Sequence, residues 1–130
     1  MDTRTVITEV YAAFNRRDIN GALALMSERV RWPKASEGGS VVGKQEIREY
    51  WARQWKEFDP HVESLEVTEM PNGETNVRVH QLVKSLAGEV LSDSEVLHIY
   101  MISQGLINGM RLRQSGSIAD ATPSAAFSKH

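Results

Sequence analysis

Cysteine is missing from all 130 residues, which excludes a disulfide framework, a thiolate zinc site and a thiol nucleophile. An excess of one charge is missing too: 15 basic residues face 17 acidic ones, for a net charge of −2. That balance offers no electrostatic footprint for nucleic acid or an anionic membrane surface, so neither is expected as a partner. No apolar run approaches the ~20 residues of a membrane span. Met1 to Arg4 does not open an apolar stretch of the signal-peptide kind, so a cytoplasmic location is the expectation. There is no Gly-x-Gly-x-x-Gly, no Walker loop and no elbow for a serine nucleophile. The histidines, His61, His80, His98 and His130, have no ligand spacing. Neither a metal nor an organic cofactor is therefore expected.

What is present is ordinary for one globular domain: 41% hydrophobic and 25% charged residues. The first half of the chain repeats with helical period. Val6, Ile7, Val10, Tyr11 and Phe14 form one stripe, and Asp18 is placed to cap a second helix that carries Ile19, Ala22, Leu23 and Met26. Glu28–Trp32 alternates like a strand ended by Pro33, and residues 34–42 read as a Gly/Ser-rich loop. A third helix, 44–58, shows Ile47, Tyr50, Trp51, Trp55 and Phe58 on one stripe before Asp59 and Pro60 stop it. The period then changes to two. Segments 61–70, 74–86, 89–102 and 106–114 alternate between turns at Pro71-Asn72-Gly73, Ala87-Gly88 and Ser103-Gln104-Gly105. Helices followed by a meander of long strands predict an α+β fold with the helices on one face of an antiparallel sheet.

The order of these elements resembles the nuclear-transport-factor-2-like (NTF2-like, cystatin-like) superfamily, in its SnoaL-like and ketosteroid-isomerase-like branch. The segments that carry the likeness are 11–19, 30–33 and 43–51, the last with Gly43, Ile47, Arg48, Tyr50 and Trp51. The resemblance reaches to about Gln114, giving a SnoaL-like domain over 1–115 and a C-terminal tail over 116–130. It implies a cone-shaped, strongly curved sheet wrapped around three N-terminal helices, with an apolar pocket at the wide end. It also implies pairing of two copies through the outer sheet face. Members include isomerases, cyclases and dehydratases beside non-catalytic binding modules, so the fold leaves function open. The steroid isomerase's groups do not carry over. Trp32 stands where its base belongs, Leu97 where its oxyanion aspartate belongs, and Val10, with Tyr11 one residue off, where its tyrosine belongs.

Strand parity supplies the candidate site. By the family's register, Leu97 and its alternates Asp93 and Glu95 face the helices, and Met110 and Leu112 face inward on the last strand. Val96, His98, Tyr100 and Ile102 then face outward, toward a partner copy in a homodimer. An even connection around Ala87-Gly88 pairs Lys84 with Leu91, Leu82 with Asp93 and His80 with Glu95. Directly opposed residues lie roughly 4.5–5.5 Å apart at Cβ. His80 beside Glu95 is thus the candidate catalytic pair, since a carboxylate fixes an imidazole's tautomer and raises its basicity. The same pair also suits a purely structural contact at the sheet's rim. Tyr11, Trp32, Trp51, Trp55, Leu97, Met110 and Leu112 are the candidate substrate-binding residues, although aromatic stripes at helical spacing are more often core. Two functions follow as expectations. One is cofactor-independent acid–base isomerisation, cyclisation or dehydration of a small apolar, polyketide- or steroid-like molecule. The other is a ligand-binding or dimerisation module without catalysis.

Overall fold

The computed structural model describes residues 2–34 and 37–114; the tail, 116–130, lies outside them. Helix α1 (Thr3–Asn15) starts where the Asp2 carboxylate accepts the Thr5 amide, and α2 (Ile19–Leu23) where Asp18 accepts the Gly21 amide. A Cβ at Gly21 would stand 2.3 Å from the Asp18 carboxylate, so the second cap needs glycine there. Strand β1 (Met26–Pro33) and the short β2 (Ser40–Val42) precede α3 (Lys44–Glu57). Strands β3 (Phe58–Glu69), β4 (Glu74–Ser85), β5 (Val90–Ser103) and β6 (Leu106–Gln114) follow as a meander. The six strands form one open, curved sheet in the order β2-β1-β6-β5-β4-β3. Register shifts in β3, at Val83/Lys84 and at Met101/Ile102 mark bulges, which bend a sheet.

Two features depart from the sequence reading. Ser40–Val42 is a strand inside the presumed loop, paired antiparallel with β1. The sheet is also not wholly antiparallel, because β1 runs parallel to β6. Nothing local specifies that pair; chain ends far apart in sequence meet there.

The core lies between the helices and one sheet face. Val6, Ile7 and Val10 of α1 and Ile47 and Trp51 of α3 are at most 1% exposed, as are Val77, Val79 and Tyr100 of the sheet. Each such aliphatic side chain stabilises the fold by roughly 1.5–3 kcal/mol.

This packing inverts the expected faces of β5. Val77 stands opposite His98, Val79 opposite Val96, and Thr75 opposite Tyr100. These residues turn toward the helices, with His98 and Tyr100 buried at 6% and 0% exposure. The proposed outer face of Val96, His98, Tyr100 and Ile102 is therefore part of, or packed against, the core. Leu97, Asp93 and Glu95 take the other side. Val96, Tyr100 and Ile102 pack against the core, while Asp93 and Glu95 keep their charges on the other side.

Candidate functional site

Between α1, α3 and the inner sheet face lies a cavity with about 590 Å³ of unfilled space, part of it continuous with solvent. Val10, Tyr11 and Phe14 reach it from α1, and Tyr50, Trp51 and Gln54 from α3. Trp32 and Pro33 reach it from β1, Gln81 and His98 from β4 and β5, and Met110 and Leu112 from β6. Val10, Tyr50, Trp51 and Met110 are buried, whereas Gln54 and Gln81 are half-buried and Leu112 is exposed, which places the latter three toward the mouth. Trp32 meets Trp51 edge-on, with ring centroids 5.6 Å apart. Phe14 backs Trp51 in the same manner at 5.2 Å. Edge-to-face contacts of this kind are each worth about 0.5–1.5 kcal/mol beyond the area they bury.

One polar constellation interrupts the apolar lining. The Tyr11 hydroxyl lies 2.7 Å from His98 Nδ1, and the Tyr100 hydroxyl donates to the Tyr11 oxygen at 3.0 Å. All three groups are buried. Burial pulls the His98 imidazole down to about 3, so it is neutral across the physiological range. Burial likewise raises Tyr100, and raises Tyr11 well above the ordinary phenol value, the Tyr11–Tyr100 contact adding to it there. The three form a neutral hydrogen-bonded chain from the sheet to helix α1. Sequence parity missed His98 because it was placed one residue out of phase: Leu97 faces away and His98 takes the inward position. The usable signal was the apolar character of Val96, Tyr100 and Ile102 around it.

The remaining candidates scatter. Tyr11, Trp32, Trp51, Met110 and Leu112 do line the cavity, and Leu97 does not. Trp55 does not line it either: it packs beside Phe14 and Trp51 with Arg17 over its ring, and its buried Nε1 has no hydrogen-bond partner among the described residues. His80 and Glu95 are direct cross-strand neighbours, but on the face away from the cavity. His80 is 39% exposed at its side chain, with Nε2 2.6 Å from Asp93 and Nδ1 3.9 Å from Glu63. Glu95 pairs with Arg78 at 3.2 Å. The expected inward His80–Glu95 pair is thus corrected. Opposed positions set Cβ atoms close, while the His80 imidazole meets Asp93 and the Glu95 carboxylate meets Arg78.

No group of three or more His, Asp or Glu side chains among the described residues is arranged to hold a metal ion. No helix among them is long and apolar enough to cross a membrane.

A curved open sheet packed on helices, with an apolar cavity between them, is the NTF2-like architecture. The chain belongs to the SnoaL-like domain family, whose model matches residues 7–110. No curated protein matches it in sequence. Among solved structures it is similar to TerC co-crystallised with polyporic acid, at 23% identity over 94% of this chain and 97% of that one, TM-score 0.75. It is similar to an NTF2-like protein of unknown function from Burkholderia pseudomallei K96243, at 20% identity over 86% and 89%, TM-score 0.74. It is also similar to a Mycobacterium tuberculosis protein in complex with estradiol-17β-hemisuccinate, at 16% identity over 89% and 94%, TM-score 0.72.

Proposed function

We propose that this SnoaL-like protein binds a flat, largely apolar molecule of polyketide or steroid character in the cavity. Tyr11, Trp32, Trp51, Met110 and Leu112 would supply the contacts, with His98 as the polar anchor. The observation that carries the reading is the neutral Tyr100–Tyr11–His98 chain set against a lining that is aromatic and aliphatic apart from Gln54 and Gln81. A few convergent polar groups in an apolar, preformed pocket are what fixes a ligand's orientation. TerC was solved with polyporic acid and the mycobacterial protein with estradiol-17β-hemisuccinate, which supports this class.

A second reading, cofactor-independent isomerisation or cyclisation, is favoured by the same imidazole. A neutral histidine can polarise a carbonyl and stabilise the enol that forms when a neighbouring carbon loses its proton. Among the described lining residues, however, there is no Asp or Glu to take that proton. An imidazole held near 3 is a weak base. Binding is therefore the primary reading.

Trp32 and Trp51 make the test direct. Titration with flat polycyclic ketones and steroids should produce saturable quenching of tryptophan fluorescence, weakened at least tenfold in Trp32→Ala. Absence of saturation up to ~1 mM, where binding is only about 4 kcal/mol, would remove the proposal. Product formation from a bound ketone would promote the catalytic reading over it.

A further inference from the structure

The hydrogen bonds around His98 fix more than its position. Tyr100 is fully buried, and among the described residues its hydroxyl has a single hydrogen-bond partner, the Tyr11 oxygen. Its proton must go there, because an unpaired buried donor is costly. The Tyr11 proton is then left for His98 Nδ1, 2.7 Å away. Reversing the chain would let Nδ1 donate to Tyr11 and Tyr11 donate to Tyr100, stranding the Tyr100 proton in the core. The forward direction makes Nδ1 an acceptor, and a neutral imidazole then carries its one proton on Nε2.

Nε2 has no hydrogen bond with a described residue, yet it is not among the atoms shut off from solvent without a partner; Trp55 Nε1 alone holds that place among them. For a side chain 6% exposed that lines the cavity, the open side is the cavity itself. We propose, building on the reading above, that Tyr100 and Tyr11 hold His98 as its Nε2–H tautomer. The cavity then presents one directed hydrogen-bond donor and selects molecules that bring a carbonyl or enolate oxygen to it. Hydroxyl groups that must donate are disfavoured at that point, since the only acceptor nitrogen is already taken by Tyr11.

Two measurements on the full chain test this. In ¹⁵N NMR of the free protein near pH 7, His98 should show a protonated Nε2 and an unprotonated Nδ1; a proton on Nδ1 overturns the inference whatever binds. The second compares 2-acetylnaphthalene with 2-ethylnaphthalene, nearly equal in size and shape, by tryptophan fluorescence or calorimetry. The ketone should bind roughly three- to tenfold tighter, the effect of one neutral hydrogen bond. In His98→Phe that preference should vanish, the two probes binding within about twofold of each other. Equal binding of the two probes to the unaltered protein sinks the selectivity but leaves the cavity's role intact. Failure of both probes to bind removes the cavity reading and the selectivity together.

Discussion

His80 and His98 stand on adjacent strands of one sheet, and each makes a short hydrogen bond, of 2.6 Å and 2.7 Å. Their surroundings differ in every other respect. His98 faces the helices, sees two tyrosines and is buried; His80 faces away, sees Asp93 and Glu63 and is more than a third exposed. Around His80, Arg78 bridges Glu66 and Glu95, so the outer face is a lattice of solvated ion pairs. Such contacts are individually worth about 0–1 kcal/mol because water competes for every member. Around His98 the Tyr11 and Tyr100 side chains are buried, and each hydrogen bond between them is costly to lose. A carboxylate next to an imidazole is thus no evidence of a site; the low-dielectric cavity wall beside it is what gives an imidazole leverage.

The largest break in this comparison comes from truncation. Tyr100→Ala should destabilise the fold by about 3–5 kcal/mol, read as a drop in unfolding midpoint, because it empties a fully buried site and removes the donor to the Tyr11 oxygen. Arg78→Ala, on the opposite face, should cost less than about 1 kcal/mol. Comparable losses from the two would erase the distinction.

Acid sharpens it next. His98 is held near 3 in the folded state against an ordinary value of 6.5, so between those values the unfolded chain binds the extra proton. Its contribution is complete above pH 6.5 and is lost as pH falls toward 3, at up to ~1.4 kcal/mol per pH unit. Denaturant melts of His98→Phe should show a flatter stability profile than the unaltered protein over that window. Matching slopes would mean that His98 is not the buried neutral group described.

Tyr11→Phe removes one oxygen and leaves both His98 Nδ1 and the Tyr100 hydroxyl without a partner. A cost of about 1–3 kcal/mol is expected by chemical denaturation, with the cavity shape kept. The smallest effect belongs to His80→Ala: under about 1 kcal/mol, with ligand affinity in the cavity unchanged within twofold. A marked fall in ligand affinity there would return chemistry to the outer face.

Much of the fold was legible because its signals are local. Val6, Val10 and Phe14 repeat with the helix, Asp18 is a cap, and Pro60 ends the run of α3. The hairpin around Gly88 even gave the register of His80 against Glu95, although a bulge puts Lys84 opposite Val90 rather than Leu91. The three residues of β2 were too few to show alternation. The parallel β1–β6 pair left no trace, since its partners are brought together only by the meander between them. Trp55 kept helical phase with Trp51, but a stripe wider than the cavity sent it to the rim beside Arg17.

What the sequence determined by itself was periodicity: which residues share a helix stripe or a strand face, and the order in which those elements come. Which face of β5 became the interior was decided by tertiary packing, where burying Val77, Val79, Val96 and Tyr100 outweighed every local preference. That choice alone carried His98 to the cavity and His80 to water. Alternation makes two sets of side chains alike in the chain, and only the apolar area removed from solvent tells them apart.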